Sequence, residues 1–260
     1  MPLLSHTISG QGKPVVLVHG FCESKAIWAK IQPALAEEYQ VIALDLGGFG
    51  DSANLLPHPT SVESLALQIK DLLWHLGIDK AVWIGHSLGG YVSLAFAEKY
   101  PAQVQGLGLL HSSALPDSEE KKKVRQNVID FVEKNGVEPF IENFVEPLFY
   151  SKRHPELQAS IHAVQQIAMQ SSLKAVVEVT KAMRDRPDRS HVLRNANYPV
   201  LLAIGREDTA VHFESYIPQL SLAPDTLVHI WKETGHMGMY ERPTETLELL
   251  RYFAKYAFEA

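Results

Sequence analysis

Residues 82–90 constrain the fold of this chain most, because an apolar run leads into Gly85-His86-Ser87-Leu88-Gly89 and a helical pattern follows over residues 91–100. A serine on a sharp strand-to-helix turn has a strained backbone, and the residues two before and two after it are pressed together. Gly85 and Gly89 hold those positions and, without a β-carbon, permit the approach. The helix N-terminus at Ser87 favours developing negative charge. The alternative without a functional role is a glycine-rich turn with an incidental serine.

The other apolar runs predict further strands of one sheet. Continuous apolar runs are typical of parallel strands that are buried on both faces, and helical patterns separate most of these runs. We therefore predict an α/β fold with a mostly parallel, doubly wound sheet, whose ligands lie outside the carboxyl ends of the strands. Besides the strand before Ser87, strands are predicted over residues 3–8, 14–18, 40–44, 106–110, 198–204 and 226–231. The helices predicted between strands include residues 26–39 and 212–220.

The alternation of strands and helices stops over residues 114–197, where the patterns are helical only. Helices are predicted there over residues 117–135, 137–144, 155–170 and 172–184. We predict a core made of residues 1–113 and 198–260, interrupted by this helical insertion. Its apolar set is unusually aromatic for so short a segment. Some members are expected to pack the insertion onto the sheet and a few to face a substrate cavity, without a pattern that separates the two groups. The candidates for the cavity are Phe131, Phe140, Phe144, Phe149 and Met169.

Composition excludes several classes of partner. With 46% hydrophobic and 21% charged residues, the chain has the composition of an ordinary soluble globular protein. A net charge of −6 provides no basic surface for nucleic acid and disfavours polyanionic substrates. We find neither a signal-peptide pattern nor an apolar run long enough to span a membrane. The single cysteine, Cys22, excludes an internal disulfide and fits a reducing compartment, so we expect a cytoplasmic protein.

A serine hydroxyl needs a base within hydrogen-bond reach and a group that orients the base. Among the twelve histidines, His236 alone combines a loop after a late strand with a preceding glycine. Asp208 ends the preceding strand and is the matching acid, whereas the adjacent Glu207 is expected to point elsewhere. The chain order Ser87, Asp208, His236 is the order typical of this kind of strand-to-helix turn.

Two further strand ends carry candidate site groups. The loop 19–22 follows the strand 14–18, and the amides of Phe21 and Leu88 are candidate donors of an oxyanion hole. A simple strand-to-helix turn is an equal alternative for that loop. His111 follows the strand 106–110 and either lines the site or is a locally satisfied polar residue. No cluster of histidine and cysteine has metal-ligand spacing, so we expect no metal.

The chain resembles the α/β-hydrolase fold superfamily, specifically its serine esterase and lipase-like branch, over nearly its whole length. The resemblance implies Ser87 as nucleophile, His236 as base, Asp208 as acid and the Phe21 and Leu88 amides as oxyanion hole. It also implies that residues 114–197 are a helical lid. Because too little chain precedes Pro14 for the usual opening hairpin, we expect about seven strands. The matching motifs are Val18-His19-Gly20-Phe21, residues 45–52, Gly85 to Gly90, Gly205-Arg206-Glu207-Asp208 and Gly235-His236.

The resemblance implies a cofactor-free enzyme that acts on a small-molecule ester. Serine at position 87 disfavours the chemistry of those relatives that use aspartate there, the haloalkane dehalogenases and epoxide hydrolases. The same triad also serves thioesterases, lactonases, carbon-carbon bond hydrolases and perhydrolases, and the fold does not decide among them. A ligand receptor on this fold is an alternative of another class. The sequence contains no indication of the oligomeric state.

Overall fold

A computed structural model describes residues 2–260, which form a seven-stranded sheet flanked by helices. The strand order is β1-β3-β2-β4-β5-β6-β7, and β1 pairs antiparallel with β3 whereas all other neighbours are parallel. The predicted α/β class and the seven strands are therefore confirmed. The strands are β1 (His6–Ser9), β2 (Pro14–Val18), β3 (Gln40–Leu44), β4 (Ala81–His86), β5 (Val104–Leu110), β6 (Val200–Gly205) and β7 (Thr226–Trp231).

The apolar strand sequences explain the position of the core. Strands β4 and β6 are buried over their whole length, because helices cover both faces of the middle of the sheet. Helix α3 is also buried over ten of its twelve residues, which fits its lack of a polar face. The helices are α1 (Gln32–Leu35), α2 (Val62–His75), α3 (Leu88–Lys99), α4 (Glu119–Asn135), α5 (Glu138–Phe144), α6 (His154–Ala168), α7 (Leu173–Arg184), α8 (Ser190–Arg194), α9 (Gly238–Glu241) and α10 (Pro243–Glu259).

Between β5 and β6 the chain forms five helices, α4 to α8, and no strand is described there. The predicted helices over residues 117–135, 137–144, 155–170 and 172–184 agree with α4 to α7 to within two residues at each end. The short helix α8 was not predicted. Among residues 2–260, no helix is both long and apolar enough to cross a membrane.

Two predicted helices are wrong, and proline explains both. Residues 26–39 form a 3₁₀ turn, Lys25–Trp28, and the four-residue α1, with Pro33 in its first turn. Residues 212–220 form two 3₁₀ turns, Phe213–Ser215 and Ile217–Gln219, the second of which contains Pro218. A proline ring restricts the preceding residue and removes an amide donor, so an apolar period that continues across it does not make a continuous helix.

Candidate active site

Ser87 lies at the tight turn between β4 and α3, with φ +50° and ψ −116°. A side chain rarely adopts this conformation, and the Ser87 N–H bond to the Leu110 carbonyl, at 3.0 Å, helps to hold it. A β-carbon on Gly85 would lie 2.5 Å from the backbone of Gly89, and one on Gly89 would collide with the carbonyl of Val18. Both glycines are therefore required by close backbone packing, as the sequence predicted.

His236 and Asp208 are in direct contact although 28 residues separate them in the chain. The loop after β7 carries His236, the loop after β6 carries Asp208, and His236 Nδ1 lies 2.7 Å from Asp208 Oδ2. The other carboxylate oxygen of Asp208 accepts the amides of Ala210 and Val211, at 2.8 and 2.9 Å. These contacts orient the imidazole ring and leave its Nε2 for another partner.

The surroundings of Asp208 stabilise its ionised form. Burial alone would raise the pKa of this carboxyl, but the neighbouring His236 and His111 rings lower the pKa well below its ordinary value. Glu207, in contrast, points away and accepts the amide of Thr234 at 3.0 Å. The two neighbouring acids thus have separate surroundings, as expected from the sequence.

His111 is completely buried and is not part of the cavity wall described below, so the prediction that it lines the pocket is wrong. Its ring stacks on Trp231, Nε2 accepts the amide of Gly238 at 3.2 Å, and Nδ1 lies 3.5 Å from Asp208 Oδ2. Because Nε2 is the acceptor, the ring proton is on Nδ1 and the imidazole is neutral. Burial lowers the pKa of His111 to about 4, since a second proton would face the Gly238 N–H.

Replacing His111 by glutamine should weaken the acid sensitivity of folding. Between pH 7 and pH 4.5 the unfolded wild type gains a proton at His111 that the folded protein, with a pKa of about 4, takes up poorly. The wild type therefore loses about 2 kcal/mol of stability over this range through His111, and the variant loses none through that position. Urea unfolding of both proteins at the two pH values measures the difference. An equal change in both proteins contradicts the assignment.

Glu23 and His86 form a buried pair that the sequence analysis missed. The Glu23 carboxylate accepts the Gly20 amide at 2.5 Å and lies 3.0 Å from His86 Nδ1, while His86 Nε2 lies 2.9 Å from the His236 carbonyl. Both ring nitrogens of His86 face acceptors, which an imidazolium satisfies best. Burial lowers the pKa of His86, but the Glu23 charge outweighs it, and the net shift is upward.

This pair connects three parts of the site. Gly20 precedes Phe21, and His86 precedes Ser87. The His236 carbonyl belongs to the loop after β7 that carries the imidazole paired with Asp208. The only signal in the sequence is an acid three residues after Gly20, which is too common a feature to indicate such a role.

Ser87 and His236 both lie on the wall of one cavity of about 470 Å³, which we call the serine cavity. Its wall includes Phe131, Phe140 and Phe144 of the helical insertion. The Phe21 ring also lines it and packs against Phe144 with ring centroids 5.8 Å apart. The cavity is therefore largely apolar, with the serine hydroxyl and the imidazole on the same wall.

Phe149 and Met169 are absent from that wall, so their prediction as pocket residues is wrong. Phe149 is buried and packs edge-on against Tyr240, with ring centroids 6.4 Å apart. Met169 caps the end of α6 and packs against the core. Phe149 thus attaches the insertion to α9, which is the packing role that the sequence analysis left open for this set.

The amides of Phe21 and Leu88 are the predicted oxyanion donors, and both are free of protein acceptors among the described residues. Leu88 is the first residue of α3, where an N–H has no partner within the helix. Within residues 2–260, neither amide donates a hydrogen bond to another protein group. The two loops that carry them approach each other at Gly89, where only the absence of a β-carbon permits contact with Val18 and His19.

His111, Asp208 and His236 offer three atoms that could bind a metal ion, all within 4.8 Å of one another. The 2.7 Å between His236 Nδ1 and Asp208 Oδ2 is a hydrogen-bond distance. Two ligands of one tetrahedral zinc ion would lie about 3.3 Å apart, given metal–ligand bonds of about 2.0 Å. The geometry fits a hydrogen bond between the buried His236 and Asp208 side chains and not a metal site.

Comparison with known proteins gives consistent matches over most of the chain. A model of the alpha/beta hydrolase fold family matches residues 13–243. The acetyltransferase component of the acetoin cleaving system of Pseudomonas putida is 29% identical over 94% of this chain, which spans 64% of that protein's length. Lipase 1 of Psychrobacter immobilis is 27% identical over 93% of this chain and 77% of its own. A thermophilic esterase from Thermogutta terrifontis superposes with a TM-score of 0.92 at 29% identity, covering 98% of this chain and 93% of that one.

Proposed function

The chain belongs to the α/β-hydrolase fold family, and we propose that it is a serine hydrolase that cleaves carboxylic esters of small or medium acyl groups through an acyl-enzyme. The observation that carries the proposal is that Ser87, on a strained turn, and His236, oriented by Asp208, lie on the wall of one cavity. The relatives named lipase and esterase support ester cleavage.

In the proposed mechanism, His236 Nε2 takes the proton of the Ser87 hydroxyl as its oxygen attacks the ester carbonyl. The tetrahedral intermediate collapses when the imidazolium gives that proton to the leaving alcohol. Water then adds to the acyl-enzyme, His236 takes one of its protons, and the carboxylic acid departs as Ser87 regains a proton. Asp208 stays ionised and stabilises the imidazolium in both steps.

The negative charge on the tetrahedral oxygen needs donors that are in place before the reaction. We assign that role to the Phe21 and Leu88 amides, which have no other protein acceptor within residues 2–260. The Gly20 N–H bond to Glu23 at 2.5 Å restrains the residue before Phe21 and so limits the motion of this donor.

We propose that residues 114–197 act as the lid of the serine cavity and that the remaining residues form the catalytic core. Phe131, Phe140 and Phe144 support this division, because they are lid side chains on the cavity wall. Apolar cover excludes water and binds the acyl chain. A cytoplasmic location remains part of the proposal, supported by a buried, unpaired Cys22.

The purified chain should hydrolyse 4-nitrophenyl acetate and butyrate, and a fluorophosphonate should abolish this activity in a time-dependent way. An intact chain that turns over none of a panel of esters, thioesters, lactones and peracid precursors would contradict the enzyme proposal. Such a result would favour a ligand receptor on the same fold.

Truncation of a lid phenylalanine should change the preference for acyl chain length. In Phe144→Ala, an octanoyl chain loses apolar contact that an acetyl group does not make, so the octanoyl to acetyl ratio of kcat/KM should fall roughly tenfold. Phe149→Ala is the matched control, because Phe149 belongs to the same insertion but packs away from the cavity. The same ratio in Phe144→Ala, Phe140→Ala and wild type would exclude these rings from the acyl site.

A further inference from the structure

The wall of the serine cavity carries two cationic side chains, Lys121 and Arg125. They are four residues apart on α4 and therefore lie on the same face of that helix. Apolar residues make up most of the remaining wall, including Val124, Val128 and Phe131. A pocket that only had to bind the alkyl chain of a neutral ester would gain nothing from two cations in such surroundings.

Lys121 forms no ion pair with any of residues 2–260. Its ammonium group donates to the carbonyl of Ala210 at 3.2 Å, and no carboxylate oxygen of residues 2–260 lies within 4 Å of it. The side chain is partly buried, and burial, followed by the charge of Arg125, lowers the pKa of Lys121. Desolvating a cation without pairing it is unfavourable, which indicates that its partner is a ligand.

Arg125 is only partly neutralised. Its Nε lies 3.0 Å from one oxygen of Asp117, and the other oxygen of Asp117 lies 2.6 Å from Nη1 of Arg186. One carboxylate thus serves two guanidinium groups, and the terminal nitrogens of Arg125 donate no hydrogen bond within residues 2–260. Lys121, Arg125 and Arg186 carry three positive charges against the single charge of Asp117. The ionised Asp208, whose charge also acts on Lys121, still leaves an excess of one positive charge.

The one acidic residue on the described cavity wall does not balance this charge. Glu23 is buried and is engaged by the Gly20 amide and by His86 Nδ1. The net charge of the whole chain, −6, repels small anions at long range. The excess of cations is therefore local to the wall of the cavity that Ser87 also lines.

We propose that the serine cavity selects esters that carry a second, anionic group, a carboxylate, which Lys121 and Arg125 bind. The inference rests on the proposed ester hydrolase function and names its substrate class. The ammonium and the free guanidinium nitrogens would form charge-assisted hydrogen bonds with the carboxylate. The apolar wall would contact the carbon skeleton between the carboxylate and the ester.

The test compares pairs of esters that differ in one charge. The mono-4-nitrophenyl ester of adipate, paired with 4-nitrophenyl heptanoate, places the carboxylate on the acyl side. The compound 4-acetoxybenzoate, paired with its methyl ester, places it on the alcohol side. In at least one pair, wild type should have the higher kcat/KM for the anion, and this preference should decrease as sodium chloride is added.

In Lys121→Met, the anion to neutral ratio of kcat/KM should fall about 10- to 100-fold in the preferred pair. Lys121→Arg should keep most of the ratio, and Arg125→Gln should lower it in the same direction. Lys123→Met is the matched control, since Lys123 is exposed on the same helix and is not on the cavity wall; its ratio should equal that of wild type.

The outcomes separate this inference from the function on which it rests. Suppose that the turnover of neutral esters requires Ser87, but wild type prefers neither anion or Lys121→Met keeps the wild-type anion to neutral ratio. That result overturns the proposed selectivity for anionic esters and leaves the ester hydrolase proposal intact. Absence of Ser87-dependent turnover for all four esters overturns the ester hydrolase proposal, and with it this inference.

Discussion

Replacing Ser87 by alanine is expected to lower kcat for 4-nitrophenyl butyrate by a factor on the order of 10³ to 10⁶. The hydroxyl is the only group that the proposed mechanism attaches to the acyl carbon, and Ser87 is the one residue of the turn 85–89 that carries a hydroxyl. Residual catalysis from the oxyanion donors and from binding sets the lower limit of the loss.

A fluorophosphonate should add a single adduct to wild type, located at Ser87 by peptide mass spectrometry, and none to Ser87→Ala. Ser93→Ala is the matched control, because Ser93 is a buried serine of the same helix whose hydroxyl donates to the Gly89 carbonyl at 2.7 Å. Its activity and labelling should equal those of wild type. Inactivation that accompanies an adduct at another residue would refute Ser87 as the nucleophile.

Asp208→Asn is expected to lower kcat by a factor on the order of 10⁴ while the fold is kept. The asparagine oxygen can still accept the amides of Ala210 and Val211, so its amide nitrogen must face His236. That nitrogen is a donor, and it forces the His236 proton from Nδ1 to Nε2. A protonated Nε2 cannot accept the Ser87 proton.

The matched control for this variant is Glu207→Gln, since Glu207 is the neighbouring acid and accepts a backbone amide away from the triad. We expect its kcat to stay near that of wild type. Fluorophosphonate labelling of Asp208→Asn should slow in parallel with kcat, because both reactions need the base. If Asp208→Asn keeps wild-type kcat and Glu207→Gln loses it, the acid is misassigned.

Features that depend on neighbouring residues in the chain are predictable from the sequence. The apolar strands and the turn at Ser87 are of this kind, because a strained φ and close backbone packing admit glycine alone at positions 85 and 89. The strand ends that carry Ser87, Asp208 and His236 follow from the same logic, since parallel strands place their carboxyl ends at one edge of the sheet. Helix prediction from apolar periodicity fails at Pro33 and Pro218, because the periodicity takes no account of the missing amide donor.

Features that depend on packing between distant segments of the chain cannot be predicted from the sequence. The sequence gives no means of separating Phe144, on the cavity wall, from Phe149, which packs against Tyr240. Their surroundings depend on how the insertion lies on the sheet. The surroundings of His111 also depend on distant segments. Its stacking partner comes from β7 and the neighbouring carboxylate from the loop after β6, and the ring is buried and neutral between them.

The sequence by itself determined the class of fold, the turn at Ser87 and the three residues proposed as the triad, because backbone geometry and strand order are local or topological properties. Only the tertiary structure decided which side chains surround the serine cavity and how they are charged. In the sequence, Lys121 is one of three consecutive lysines and Glu23 is an acid three residues after Gly20. Only the folded chain places Lys121 beside Ala210 and Glu23 beside His86. Lys121 is partly buried without an ion pair, whereas Glu23 is buried with one. Residues far apart in the chain produce both environments, which set the electrostatics of the site.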